Sequence, residues 1–420
     1  MVPVVHKYGG SSLADAESIR NVAGRIARAR DRGEAVVAVV SAMGDTTDRL
    51  QSLAREVAET PEPREMDLLL STGETVSGTL VAMALRSLDV DAISLTGAQA
   101  GIITDTSHGN AKIESVDPQR ILDELGRGRV VIVAGFQGKT EHSDVTTLGR
   151  GASDLTAVAL AASLGAERCE VYTDVEGIYT ADPRLVPDAR KLDEIGFEEM
   201  LELASYGAKM NPRSIELGMV YDVPILVASS FTDRPGTLIH EGANMGIRVR
   251  ETRNRVRGIA ADTDVAKITV QGVPDRPGIA ARVFEPLAAA DVSVDVIVQN
   301  ASVDRATDVT FTVKRTDLRR AIKITQGVAD ELGAKGVSTA DNLAKVSIVG
   351  TGMHDVPGYA ARLFRTLADA GINVEMISTS EIRITCIVSE DKVGEAARSI
   401  HSAFELDRPE ARPQPRRASA

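Results

Sequence analysis

The sequence predicts an α/β fold, a largely parallel sheet covered by helices on both faces, followed by a smaller module present twice. Three observations predict it. Between Val4 and about His240, runs that are apolar throughout alternate with helical patterns; such runs are strands buried on both faces, and strands separated by helices pair in parallel through right-handed crossovers. Each run leads directly into a loop rich in glycine, hydroxyls and charge. Beyond residue 260 the sequence repeats itself about 80 residues on.

The first strand and loop are Val4-Val5-His6-Lys7-Tyr8-Gly9-Gly10-Ser11-Ser12-Leu13, followed by a helical pattern with Ile19, Val22, Ala23 and Ile26 on one face. Glycines let backbone N–H groups approach an anion, the helix start adds unpaired donors, and the lysine adds a mobile charge. A phosphate site or a plain strand-to-helix turn both fit this stretch taken alone.

The other predicted strands are Ala35 to Val40, Val130 to Ala134, Cys169 to Thr173 and Ile225 to Ala228. Their carboxyl ends carry Ser41-Ala42-Met43-Gly44-Asp45-Thr46-Thr47, Gly135-Phe136-Gln137-Gly138 and Asp174-Val175-Glu176-Gly177, and Thr146 to Asp154 precedes an alanine-rich helix. Open parallel sheets collect ligands at these ends. Gly135 to Thr140 imitates a Walker A loop, but two residues separate its glycines where four are needed, which excludes a P-loop fold.

With 420 residues the chain is long enough for two or three domains. A net charge of −12 argues against nucleic acid or an anionic membrane as partner. No apolar run reaches the roughly 18 residues of a membrane span, and the N-terminus reads as neither signal nor anchor, so a cytoplasmic enzyme is expected. Cys169 and Cys386 are the two cysteines, and the six histidines are scattered without metal-ligand or triad spacing.

Residues 241–265 are arginine-rich and irregular, a linker or edge strand. In the repeat, Asp275-Arg276-Pro277-Gly278 returns as Asp355-Val356-Pro357-Gly358, and Ala280-Ala281-Arg282-Val283-Phe284 as Ala360-Ala361-Arg362-Leu363-Phe364. Each copy reads strand, Pro-Gly turn, amphipathic helix, strand. The turn opens onto the helix start, a seat for a small carboxylate. The tail 407–420 is expected to be disordered.

Taken together, Lys7-Tyr8-Gly9-Gly10-Ser11-Ser12, Ser41-Ala42-Met43-Gly44, Ser71-Thr72-Gly73-Glu74, Thr147 to Asp154 and Tyr179-Thr180-Ala181-Asp182-Pro183-Arg184 resemble the bacterial aspartate kinases with paired C-terminal ACT repeats. The resemblance runs from Val4 to about Leu406. It implies a three-layer amino acid kinase domain over 1–240, a linker over 241–265, and two ferredoxin-like βαββαβ ACT domains over 266–340 and 341–406. The implied reaction is ATP-dependent phosphorylation of the side-chain carboxylate of L-aspartate, the first step towards lysine, threonine and methionine.

By the same resemblance Lys7, Asp154 and Lys209 are catalytic, Asp154 by orienting Lys7 and the phosphates, because a carboxylate acceptor needs no deprotonation. Gly9, Gly10 and Ser11 would donate to phosphate, and Thr173, Asp174, Tyr179, Asp182 and Arg184 would hold the rest of ATP. Arg150 would take the aspartate α-carboxylate, Glu74 its ammonium, and Ser41, Thr47 and Ser153 would surround the acceptor. Magnesium would arrive with ATP, held by phosphate oxygens and waters rather than by a protein metal site.

Effector contacts for lysine, threonine or both are expected at Asp275, Gly278, Ile279, Ala280, Gln299 and Asn300 in the first repeat. Their counterparts in the second are Met353, Asp355, Gly358, Tyr359, Ala360, Asn373, Val374, Ser380 and Glu381. The family also implies a homodimer or larger assembly, and Met245 could start a separate small subunit. Two departures stand out: Ala152 replaces a loop glycine, and Met210-Asn211-Pro212-Arg213 after Lys209 is one residue short of the family spacing. They keep open a catalytically weak amino-acid sensor, beside a related kinase acting on glutamate, acetylglutamate or a nucleotide monophosphate.

Overall fold

The computed structural model describes residues 2–205, 210–241, 256–300, 306–353 and 356–408. Lys209, Met245, Asp355 and residues 409–420, all singled out above, lie outside them. The chain divides into two units: Met1–Ile178 with Lys191–Glu251, and Tyr179–Arg190 with Thr252–Ala420.

The first unit is built on an eight-stranded sheet. In chain order its strands are β1 (Pro3–Tyr8), β2 (Ala35–Val40), β3 (Ala92–Leu95), β6 (Val130–Ala134), β9 (Cys169–Thr173), β10 (Glu194–Ile195), β11 (Ile225–Ser229) and β12 (Thr237–Ile239). Their order across the sheet is β10-β12-β11-β9-β1-β2-β6-β3, and only the β11–β12 pairing is antiparallel. The four apolar runs predicted as strands are all present. A small second sheet, β4 (Ile102–Thr104), β5 (Ile113–Val116), β7 (Gln137–Lys139) and β8 (Val145–Thr147), stands in the order β5-β4-β7-β8.

Helices α1 (Ala16–Asp31) and α3 (Pro63–Arg86) cover one face of the large sheet, where Ile19, Val22, Ile26, Val81 and Leu85 pack on Val4, Tyr8, Val36, Ala38 and Ile132. On the other face α5 (Ser153–Leu164) lies on β1 and against α7 (Pro212–Val220). The remaining helices are α2 (Thr46–Val57), α4 (Gln119–Gly126) and α6 (Phe197–Ser205). Strand alternation sends His6 and Tyr8 to one side of β1 and Lys7 to the other. Tyr8 stacks on Tyr172 at 5.2 Å, and burial lowers the His6 pKa against the pull of Glu170 and Glu34.

α3 corrects one expectation. It is long and apolar enough in composition to cross a membrane, although no unbroken apolar run announces it. Half of that stretch is buried in the protein, and a polar stripe, Asp67, Ser71, Glu74 and Ser77, is buried with it.

The second unit holds a six-stranded sheet of β13 (Gly258–Pro274), β14 (Val294–Gln299), β15 (Ala306–Val313), β16 (Gly336–Val349), β17 (Met376–Thr379) and β18 (Arg383–Ser389), ordered β14-β15-β13-β16-β18-β17. The two repeats are interleaved rather than consecutive. Lys267–Gln271 of β13 pairs with Gly336–Ala340 inside the first repeat, while Gly258–Asp262 pairs with Lys345–Val349 of the second. Register shifts around Val265 mark the change of partner. Residues 258–262, read as linker or edge strand, therefore complete the second repeat.

Helices α8 (Ile279–Ala289) and α9 (Leu318–Leu332) close the first core, and α10 (Tyr359–Asp369) and α11 (Val393–Ala403) the second. Two ion pairs join the repeats reciprocally: Lys267 to Glu375 at 2.8 Å, and its counterpart Lys345 to Asp295. The segment Tyr179–Arg190, read with the first domain, belongs here by its contacts. Ala181 and Val186 enter the second core, Ile259 N donates to Thr180 O at 2.7 Å, and Thr180 Oγ1 lies 2.9 Å from His401 Nε2.

Candidate functional site

In the first unit the carboxyl ends of β1, β2 and β6 open into a cavity of about 480 Å³, within the range of small-molecule sites. Gly10, Ser41, Thr47, Glu74, Arg150 and Ser153, drawn from segments far apart in sequence, all line it.

The glycine loop sits tightly against the end of β2. Gly44 N donates to Gly10 O at 3.1 Å, and a Cβ on Gly10 would lie 3.0 Å from Ala42 O and 3.1 Å from Gly44 O. Only glycine allows that approach without moving backbone. Lys7, 9% exposed, points to the α5 face of the sheet, and its Nζ lies 2.7 Å from Asp154 Oδ1 in the first turn of α5. An exposed pair of this kind contributes little, but this one is largely out of water, where orientation is fixed and charge is felt strongly.

Glu74 is the sharpest electrostatic feature. It is 3% exposed; Oε1 accepts from Ala42 N at 3.1 Å, and Oε2 has no hydrogen-bond partner among the described residues. Burial pushes its carboxyl up to about 7, against the pull of that backbone donor. A cation placed there would satisfy it. Ser77, one turn along α3, donates to Ser41 O at 2.7 Å, so one helix holds both Glu74 and the Ser41–Ala42 loop.

Arg150 stands on a loop between Gly149 and Gly151, its side chain 79% exposed and paired with Asp48. Ala152 has φ −79° and ψ 6°, so its methyl meets no backbone penalty, and it packs with Leu70, Phe136, Leu148 and Leu155. The departure from the family glycine is thus accommodated without strain.

Sequence reasoning missed Asp67. Buried at the cavity, it accepts from Gly109 N at 3.0 Å and from Thr147 Oγ1, and its Oδ2 lies 2.8 Å from His108 Nδ1. Two carboxylates seven residues apart, Asp67 and Glu74, on one face of an otherwise apolar helix were the available signal. Phe136, at φ 68°, also lines the cavity, in a conformation that costs a non-glycine residue about 1 kcal/mol or more.

Of the residues assigned to the nucleotide, Thr173 ends β9 and Asp174 follows it in the first unit, where Thr173 Oγ1 donates to Asp174 Oδ1 at 3.1 Å. Tyr179, Asp182 and Arg184 belong to the second unit and are not among the cavity's lining residues; Arg184 pairs with Asp182 at 2.6 Å. Ser11 is exposed at the start of a short 3-10 turn. Among the described residues no cluster of three or more His, Cys, Asp or Glu could hold a metal ion.

In the second unit Gly278 and Gly358 hold equivalent places at the starts of α8 and α10, with φ 88° and 112°. Ala280, Gln299, Asn300 and Asn373 are exposed and Tyr359, Ala360 and Val374 half-buried. Ser380 N donates to Arg383 O at 2.8 Å, and Glu381 is exposed beside it. Met353 and Ile279, 4% and 5% exposed, are instead packed in the two cores.

Comparison with known proteins agrees with this architecture. The amino acid kinase family pattern matches residues 3–229 and the ACT domain pattern matches 268–326 and 346–404. The aspartokinase of Mycolicibacterium smegmatis is 52% identical over 410 residues, 97% of each chain, and that of Corynebacterium glutamicum 50% identical over the same length, again 97% of each. Among solved structures, E. coli aspartokinase III in complex with aspartate and ADP, in its R-state, is similar with a TM-score of 0.77. It is 27% identical, over 96% of this chain and 99% of that one. The same enzyme in complex with lysine and aspartate, in its T-state, has a TM-score of 0.72 at the same identity and coverage.

Proposed function

This chain belongs to the aspartokinases, amino acid kinases with paired ACT domains, and from that premise we propose how its cavity moves the γ-phosphoryl group of ATP onto the side-chain carboxylate of L-aspartate. The observation that carries the reading is a pair of unlike charges held out of water, one lining the cavity and one on the strand that leads into its glycine loop. Glu74 offers a buried anion with one oxygen unsatisfied, and Lys7, braced by Asp154, offers a nearly buried cation at the glycine loop.

An amino acid whose ammonium meets Glu74 would turn its α-carboxylate towards Arg150, which exchanges Asp48 for a bidentate partner. Its side-chain carboxylate then lies among Ser41, Thr47 and Ser153. Phosphoryl transfer needs positioning and charge compensation more than proton transfer. Lys7 offsets the charge that shifts from the transferred group to the leaving diphosphate, while Gly9, Gly10 and Ser11 donate to the phosphates and Thr173 and Asp174 extend the nucleotide's support. Magnesium enters as part of the ATP complex, with phosphate oxygens and water as its ligands.

The unstrained backbone at Ala152 disfavours the weak-sensor reading, which leaned on that residue. Glutamate and acetylglutamate as acceptors are disfavoured by the paired ACT domains. Hydroxamate formation from ATP with aspartate, glutamate or acetylglutamate tests the reaction; turnover of glutamate or acetylglutamate at a rate matching aspartate would refute the acceptor assignment.

We further propose that lysine, threonine or both inhibit the enzyme from the turns at Gly278 and Gly358, in a dimer or larger assembly. Two observations support this: both turns open onto helix starts, and the outermost strands β14 and β17 leave Ile297 and Ile377 exposed at equivalent positions. A coupling of about 1–3 kcal/mol would give strong inhibition. Assays with each amino acid alone and together, and light scattering for mass, test both parts.

A further inference from the structure

The guanidinium of Arg150 can recognise a carboxylate only if its loop holds it in place, and the loop's own backbone does not do so. Gly149 and Gly151 flank it with φ 92° and 76°, left-handed conformations that glycine adopts without penalty and that no side chain stiffens. Within the loop, Ala152 N donates to Gly149 O at 3.2 Å, and upstream Leu148 N donates to Phe136 O at 2.9 Å. Asp48 pairs with the guanidinium itself, and restraint of the backbone that carries it has to come from outside the loop.

It comes from the start of α7, the Asn211-Pro212-Arg213 stretch. Asn211 caps that helix by accepting from Arg213 N at 3.0 Å, and its Nδ2 lies 3.5 Å from Arg150 O. Arg213 donates through Nη1 to Leu148 O at 2.7 Å and through Nη2 to Ala111 O at 3.0 Å. The carbonyls gripped, those of Leu148 and Arg150, lie on either side of Gly149. The second anchor, Ala111, belongs to the segment that Asp67 pins through Gly109 N. Arg213 is absent from the residues that line the cavity.

We propose that Arg213, aided by Asn211, is a positioning residue for the acceptor: it acts through the Leu148 and Ala111 carbonyls to set where the Arg150 guanidinium stands, without touching substrate. The inference rests on the reading of Arg150 as the α-carboxylate contact. A planar fork can hold two carbonyls at once, which a lysine ammonium on a flexible stem does less well. Small displacements of a positioning group cost large factors in substrate capture.

The test is steady-state kinetics in both substrates, with melting temperatures, for the full-length wild type, Arg213→Met, Arg213→Lys, Arg150→Met and the Arg150→Met/Arg213→Met pair. Arg213→Met is expected to raise the KM for aspartate about tenfold or more while the KM for ATP stays within about twofold, and Arg213→Lys to fall between. In the Arg150→Met background the second change should add less than about twofold, because the group being positioned is gone. Equal rises in both KM values, a lowered melting temperature with the aspartate KM unmoved, or full multiplication of effects in the pair would each overturn the proposal. An aspartate KM unchanged in Arg150→Met would instead overturn the reading of Arg150, and the proposal with it. Should Arg213→Met not fold, Arg213→Lys is judged by the same criteria.

Discussion

Replacing Glu74 by glutamine should separate what this carboxylate costs the fold from what it does for the substrate. The side chain is 3% exposed, one oxygen accepts from Ala42 N, and burial carries its pKa from 4.5 to about 7. Between those two values the folded protein keeps a proton that the unfolded chain has lost, so stability falls as pH rises through that window. The difference between 4.5 and about 7 corresponds to about 3 kcal/mol. Glu74→Gln removes that charge while keeping an oxygen for Ala42 N, so the ligand-free variant is expected to gain about 1–3 kcal/mol at pH 8 in urea denaturation. The gain should shrink to nothing as pH falls below 4.5, where the wild-type group becomes protonated in both states.

The same change removes the anion that receives the substrate ammonium. Deleting one partner of a buried pair costs about 3–5 kcal/mol, which puts the rise in the aspartate KM between about 10² and several thousand-fold. In the wild type, protons compete with aspartate for Glu74. The kcat/KM for aspartate should therefore fall about tenfold from pH 8 to pH 6, with kcat at saturating aspartate little altered. A flat profile over that range, together with an aspartate KM in the variant within about threefold of wild type, would refute both the burial argument and the ammonium assignment.

Lys7→Ala should lower kcat about 10³-fold or more in the hydroxamate assay, since it deletes the cation facing the phosphoryl group; residual activity within tenfold of wild type would sink the role. Gly10→Ala forces a methyl to 3.0 Å from Ala42 O, so either the loop or the end of β2 must move. A loss of about 1–3 kcal/mol in stability and a raised KM for ATP are expected, measured by denaturation and initial rates. Ala152→Gly, which restores the family residue, should leave kcat unchanged and cost about 1 kcal/mol, because it deletes a buried methyl and frees an unfolded-state backbone; a rise in kcat would show that the methyl does obstruct substrate.

The strands of the first unit were legible because each is apolar throughout and stops at a polar loop, a pattern that local composition carries by itself. The site was legible in two ways: Gly10 and Ser41 sit at those stops, while the roles of Ser41, Arg150 and Ser153 came from the family resemblance, and all four residues line one cavity. Asp67 was hidden inside a helix whose apolar character dominates its reading, and Arg213 because a guanidinium that grips carbonyls looks in sequence like any surface arginine. The membership of Tyr179–Arg190 was illegible for another reason. Whether a short hairpin-like segment packs with the strand before it or with a helix more than 200 residues later is decided by long-range partners such as His401, and no local periodicity records them. The same holds for β13, whose change of partner near Val265 leaves only a brief break in alternation.

Because residues 258–262 supply a strand to the repeat that lies furthest from them along the chain, neither copy can be excised by a single cut. A fragment beginning at residue 266 would strip the second repeat of the strand that pairs with Lys345–Val349, and one ending at residue 340 would leave Lys267 without its acidic counterpart. The pair should accordingly melt in one step, and whatever tightens either half is inherited by the other through a shared ribbon of backbone.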